Sequence, residues 1–216
     1  MIGDKLMSRT VKSADERKKD IIQTAEKLFI EDGYNNVTTS AIAKKTGVAK
    51  GTLFYHFETK DNLADAVIKY QLAPLKETYQ QINAKKEWSA LKKMSWFFLS
   101  ELDDSLQHVS SFNYLKNDDN AILRQKLRVQ MTTDFVPFIE NWLTQGVKED
   151  IFQVDDPHLM AEFIFTSFHS WVENSLFGDD LKTRNHRINY VLPLYNQMLH
   201  LPQNTFSPEN MRKLLQ

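Results

Sequence analysis

Three glycines, Gly33, Gly47 and Gly51, crowd into nineteen residues, and the next one is Gly146. Six glycines and six prolines over 216 residues leave long stretches without a backbone breaker. Those stretches are rich in Leu, Lys, Glu, Gln and Ala, the residues that lose least on entering a helix. No segment alternates apolar and polar residues as a half-buried strand does, and no Asn-Gly or Asp-Gly pair sits between such segments. The chain is therefore expected to be all-α, without repeats or low-complexity tracts.

The glycines also divide the N-terminal part into helices. Residues 1–13 read as a flexible arm. From about Ala14 to Asp32, Ile21, Ile22, Ala25, Leu28 and Phe29 recur at the spacing of one buried stripe, and Gly33 suits a helix end. Thr38 or Thr39 can cap a second helix whose inner face is Ile42 and Ala43; that helix stops at Gly47. A third spans about Ala49–Phe57. Thr59 can cap a fourth, about Lys60–Gln81, with Leu63, Ala66, Val67 and Tyr70 on one face. Two short helices joined by a Gly-containing turn and packed on a longer one make a helix-turn-helix unit, with Val48 and Leu53 as its anchor. Phe54 and Phe57 read as core. Longer helices are expected over Trp88–Asp103, Asn120–Val147, Pro157–Phe177 and Lys182–Leu201, with a short piece near Ser111–Lys116. Pro137 should kink or divide its helix, Pro193 should bend its own, and Pro74 marks a bend or hinge.

Residues 38–60 read TTSAIAKKTGVAKGTLFYHFETK. A recognition helix needs small or short polar residues at the end that enters the major groove, and Ala49, Lys50, Gly51 and Thr52 supply them. Gly51 allows close backbone approach, Thr52 can meet a base edge or a thymine methyl, and Lys50 can reach guanine or phosphate. Tyr55 and His56 can donate to phosphate one turn later. Lys60 and the hydroxyls of Thr38 and Thr39 lie at helix starts, which favour anions.

The Thr-Thr cap, Ile42-Ala43, Gly47-Val48 and GTLFYHFETKDNL, together with the upstream DIIQTAEKLFIEDGYNNVT, closely resemble the TetR family of transcriptional repressors. The resemblance covers roughly residues 15–70; beyond them only the helical layout agrees. It implies DNA contacts from Thr38, Thr39, Lys50, Gly51, Thr52, Tyr55, His56 and Lys60, with base preference at Ala49, Lys50 and Thr52. It also implies a homodimer on a palindromic operator of double-stranded DNA, the recognition helices about 34–36 Å apart or a multiple of it.

Whole-chain charge is a poor guide here. The total is −1, but residues 1–60 carry +3 and the remainder −4. Of the 25 aromatic residues 18 lie after residue 80, including all four tryptophans. Such residues form either core or an apolar ligand pocket with a few polar groups. Trp96, Phe112, Gln130, Phe135, Phe138, Trp142, Phe168 and His169 are the ligand-binding candidates, with Asn113 and Thr133 as further polar ones. The resemblance implies a small hydrophobic or cationic effector that moves the DNA-binding heads. Phe163, Ser167, Trp171, Val191, Tyr195 and Met198 lie on helices apolar around much of their circumference, which points to burial against a partner copy as well as the core.

The expected organisation is thus an arm at 1–13, a three-helix DNA-binding domain at 14–60, a connecting helix at 61–81, and a helical ligand-binding and dimerisation domain at 82–216. The leading expectation is a homodimeric repressor released from its operator by a ligand; the alternative is a helix-turn-helix regulator controlled by a protein partner, or by nothing. Catalysis is not expected: no phosphate-binding loop, zinc-protease, nucleophile-elbow or dinucleotide motif is present. No cofactor or metal is expected either, since cysteine is absent and the six histidines are scattered. With no signal peptide or membrane span visible, a soluble cytoplasmic protein is expected.

Overall fold

The computed structural model describes residues 13–102, 112, 114–115, 117–172 and 181–216. Expectations for the arm at 1–12, for Asp103, Ser111, Asn113 and Lys116, and for 173–177 at the end of one helix lie outside them. The described helices, in chain order, are α1 (Ala14–Asp32), α2 (Thr39–Thr46), α3 (Lys50–His56), α4 (Lys60–Ala84), α5 (Ala90–Leu102), α6 (Ala121–Lys148), α7 (Pro157–Val172), α8 (Leu181–Met198) and α9 (Pro208–Leu215). No strand occurs among the described residues, so the expected all-α class holds. They fall into two compact units: the described parts of Met1–Gln71 and Tyr114–Lys126, and those of Leu72–Asn113 and Leu127–Gln216.

In the first unit α1 begins in a capping box. Ser13 Oγ accepts from the Glu16 N–H at 3.2 Å, and the Glu16 carboxylate accepts from the Ser13 N–H at 2.7 Å, so two of the orphan donors of the first turn are satisfied. Ile21, Ala25, Leu28 and Phe29 are buried as expected, with Ile22 only partly so. They meet Ile42 and Ala43 of α2, Leu53 of α3, and Leu63, Ala64, Val67 and Ile68 of α4 in one core. Ala64 and Ile68 take the places expected of Ala66 and Tyr70. The inner stripe of α4 is thus rotated by about one residue, which leaves the Tyr70 hydroxyl to accept from Gln23 Nε2 at 2.6 Å.

Gly33 ends α1 at φ +81°, and a Cβ built there would stand 2.7 Å from Asp119 Cβ. Positive φ and contact with a neighbouring segment act together at this position. Gly33→Ala is expected to cost about 1–3 kcal/mol, from strain plus overpacking, read as a lowered midpoint in thermal denaturation.

The second unit is built on aromatic packing. Tyr79 of α4 is the hub of one cluster: its ring centroid lies 5.1 Å from Trp96, 4.6 Å from Phe135, 5.7 Å from Phe138 and 5.7 Å from Trp142. Phe98 is the hub of another, 5.4 Å from Phe168, 5.3 Å from Tyr195 and 4.9 Å from Phe206. Phe206 arrives from the segment before α9, which the apolar spacing does not reveal. Ser207-Pro208 is the sequence signal for that helix, a capping residue followed by proline at the first helical position; Ser207 Oγ does accept from the Asn210 N–H at 3.3 Å.

Pro74, Pro137 and Pro193 all lie inside helices. Of the two alternatives expected at Pro137, a kink or a division, α6 is not divided. All three prolines are exposed, so the carbonyl that each leaves without a helical donor can turn to water.

Candidate nucleic-acid interface

Thr38 caps α2, its Oγ1 accepting from the Ala41 N–H at 3.1 Å. Gly47 ends the helix in the left-handed conformation at φ 75° and ψ 27°. That bend lets α3 start three residues later. Ala49 is the cap of α3 and offers no side-chain bond, while Leu53 is fully buried and fixes the helix to the core.

With Leu53 turned inward, Ala49, Lys50, Gly51, Phe54 and Tyr55 are exposed and Thr52 and His56 are half-buried. Phe54 departs from expectation: it is 39% exposed, whereas Phe57 is buried. In a seven-residue helix held by Leu53, the position that follows Leu53 must look away from the core. The Lys50 ammonium sits 5.7 Å from the Phe54 ring centroid, a cation–π pair that orders an otherwise free lysine. Tyr55 is 83% exposed, its ring edge-on to His56 at 5.2 Å. Gly51 has open space where a Cβ would stand. Lys44 and Lys45 of α2 are exposed as well. Thr38, Lys50, Gly51 and Tyr55 thus present hydroxyls, a positive charge and a bare backbone to solvent, the contact types that meet phosphates and base edges. Thr39 is half-buried beside Thr38.

Lys60 differs from the free phosphate ligand that its place at a helix start suggests. Its Nζ donates to the Tyr34 carbonyl and lies 4.1 Å from the centre of the Tyr34 ring. Burial lowers its pKa, and burial raises that of the Tyr34 hydroxyl.

In the second unit, Trp96, Phe135, Phe138 and Trp142 are brought together around Tyr79, which is not among the residues expected from the sequence. Its burial is legible in the helical spacing of Leu72, Tyr79 and Ile82, all buried. Phe168 and His169 belong to the neighbouring cluster, with the His169 ring 4.2 Å from Phe165 and its Nδ1 2.9 Å from the Phe165 carbonyl. Gln130 donates to Asp134 at 2.8 Å, and Asp134 also takes Lys76 at 2.5 Å. Phe112 is half-buried. Among the described residues the buried Ser95 hydroxyl has no hydrogen-bond partner.

The candidate partner face is shifted by one residue on α8. Val191 and Tyr195 are buried inside their own unit, where the Tyr195 hydroxyl lies 2.9 Å from Ser167 Oγ and burial pushes its pKa up to about 12. Ile188, Leu192 and Leu199 share that inner face and hold both residues there. The exposed apolar side chains on these two helices are Leu159, Phe163, Tyr190 and Leu194. Trp171, half-buried, packs its ring edge-on against Tyr190 at 5.8 Å. Met198 lines a groove of about 690 Å³ with Leu159, Met160 and Phe163, rimmed by Asp155 and Asp156.

Comparison with known proteins agrees with this fold. Residues 21–67 match the family model described as bacterial regulatory proteins, tetR family, and residues 107–191 match one described as a tetracyclin repressor-like C-terminal domain. An HTH-type transcriptional regulator of Staphylococcus aureus (strain USA300) is 38% identical over 194 residues, 85% of this chain and 95% of its own. The fatty acid metabolism regulator protein of Bacillus subtilis (strain 168) is 26% identical over 185 residues, 83% of this chain and 94% of its own. Among solved structures, a TetR-family transcriptional regulator from Pectobacterium atrosepticum matches with a TM-score of 0.60 at 19% identity, covering 88% of this chain and 97% of that one. The regulator FadR from Bacillus subtilis, solved in complex with stearoyl-CoA, matches with a TM-score of 0.52 at 24% identity, over 80% and 96%.

Proposed function

The chain belongs to the TetR family of bacterial transcriptional regulators, and from that premise we propose that it is a homodimeric repressor released from a palindromic operator by a small apolar or cationic effector. Regulators of this family bind DNA and respond to ligands. The operator, the effector and the residues that meet them are our reading. The observation that carries it is the exposed face of α2 and α3, where Tyr55 is left 83% exposed with one ring neighbour. Tyr55 shares this surface with the exposed Phe54 and Lys50, and phosphate or a base edge suits its hydroxyl.

On this reading Thr38, Thr39 and His56 border the same contact, Ala49, Lys50 and Thr52 carry base preference, and Lys50 also reaches phosphate. Residues 82–216 bind the effector, with 61–81 as the connecting helix. The aromatic rings around Tyr79 and Phe98 supply apolar lining, and the unpartnered Ser95 hydroxyl supplies a polar group that an effector can satisfy. Leu159, Phe163, Tyr190 and Leu194 form the apolar face for the second copy, which symmetry requires to be the same patch on both. No catalytic step is assigned to the protein. None of the described helices is long and apolar enough to cross a membrane, and we place the regulator with its DNA in the cytoplasm.

In vitro selection of duplexes bound by the full chain tests this directly. The expected product is a palindrome whose binding weakens steeply with salt, because phosphate neutralisation releases counterions. Selected sequences without two-fold symmetry, or affinity flat in salt, would overturn it.

A further inference from the structure

By sequence, residues 114–126 belong to the effector-binding part of the chain, yet they pack in the same compact unit as the DNA-binding helices. We propose that this segment is a clamp that sets the geometry of those helices, with Asn120 as its positioning residue. The proposal rests on the DNA-binding reading above and adds a determinant of affinity that lies outside the helix-turn-helix.

Asn120 ends a 3₁₀ turn, Asp118–Asn120, and is buried. Its Oδ1 accepts from the Tyr34 N–H at 2.6 Å, and its Nδ2 donates to the carbonyls of Phe29 at 3.4 Å and Tyr114 at 3.0 Å. The same Tyr34 receives Lys60 on its carbonyl and under its ring. One residue is thus gripped at its N–H by Asn120 and at its C=O by the first residue of α4. Tyr34 also stands in the turn that leads to the α2 cap: the Val37 N–H donates to its carbonyl at 3.4 Å, and Thr38 follows. Moving Tyr34 therefore moves the starts of both α2 and α4.

The surrounding contacts fasten the same parts. The Asn35 N–H donates to the Asp119 carbonyl at 3.1 Å, and Asn36 Nδ2 donates to Asp119 Oδ2 at 3.2 Å. Gly33 lacks the Cβ that Asp119 would strike. Lys126 pairs with Asp61 at 2.8 Å and Asp65 at 2.7 Å on α4, and the Tyr114 hydroxyl donates to Gln71 Oε1 at 2.9 Å. The buried Asn120 amide is the central member, because truncating it leaves the Tyr34 N–H buried without an acceptor.

The test uses the full-length protein and an operator obtained by selection, with affinity read by fluorescence anisotropy and the active fraction by stoichiometric titration. Asn120→Ala is expected to bind about tenfold more weakly with the active fraction unchanged, the loss expected of an unsatisfied buried donor. Lys60→Ala should cost several-fold less in the Asn120→Ala background than in the wild type, because both act through Tyr34. A purely structural loss would lower the active fraction and leave the two costs multiplicative. If Asn120→Ala does not fold, Asp119→Ala, which removes only the hydrogen bond from Asn36, is expected to weaken binding about threefold. Wild-type affinity in the variant that folds, or multiplicative costs, overturns the proposal. A wild-type chain that selects no duplex overturns the DNA-binding reading instead, before any variant is made.

Discussion

Tyr55→Ala is expected to weaken operator binding by at least tenfold while leaving the thermal unfolding midpoint where it was. The two halves of that expectation come from one observation. Tyr55 is 83% exposed, with its ring edge-on to His56, so its removal exposes no cavity and costs within about 0.5 kcal/mol of stability. On DNA the same ring and hydroxyl would be covered, and a good polar contact is worth about 1–3 kcal/mol, in each of two protomers. Lys50→Ala should weaken binding similarly and reduce the slope of log affinity against log salt by about one for each phosphate that is no longer neutralised. The Phe54 ring that holds the Lys50 ammonium gives a third variant: Phe54→Ala should weaken binding by part of the Lys50→Ala effect with the salt slope kept. Anisotropy titrations at several salt concentrations read all three. Equal affinity for wild type and Tyr55→Ala would remove Tyr55 from the contact, and equal affinity for Lys50→Ala as well would remove α3.

Why α1 to α3 are legible in the sequence, and the clamp is not, has a physical reason. Ile21, Ala25, Leu28 and Phe29 repeat at helical spacing, and Gly33 and Gly47 sit where the backbone takes positive φ; each feature is local, so periodicity and turn chemistry report it. The burial of Leu53 against the exposure of Phe54 depends on which side of a two-turn helix turns to the core, and spacing alone leaves that open. Asn120 is further removed still. Its partners Phe29 and Tyr34 lie more than eighty positions earlier, at sequence separations of 91 and 86, and an asparagine before a helix reads as a cap. The face of α8 is hidden for a related reason. Val191 and Tyr195 belong to a stripe wide enough to cover two sides, and only the packing of Ile188, Leu192 and Leu199 shows which edge of it turns inward.

Trp142→Ala is expected to destabilise the second unit by about 3–5 kcal/mol, the range for removing a fully buried large aromatic. Trp142 is completely buried on α6, stacked on Tyr79 at an interplanar angle of 16° and edge-on to Trp96 at 6.1 Å. Its indole Nε1 donates to Asn83 Oδ1 at 3.0 Å. Trp142→Phe keeps most of the apolar volume and removes that hydrogen bond, so it should cost less, about 1–2 kcal/mol from the smaller ring and the missing donor. The pair of variants separates two roles that sequence leaves joined. If Trp142 serves only the core, Trp142→Phe binds the operator as the wild type does, and its response to effectors scales with its stability alone. If the ring also lines the effector site, Trp142→Phe stays folded but loses the stabilisation a ligand confers, because binding to the folded state raises the unfolding midpoint in proportion to the logarithm of ligand over dissociation constant. Thermal shifts of both proteins across a panel of hydrophobic and cationic compounds give the answer. A compound that stabilises the wild type, releases DNA and does neither in Trp142→Phe would place the effector against this ring.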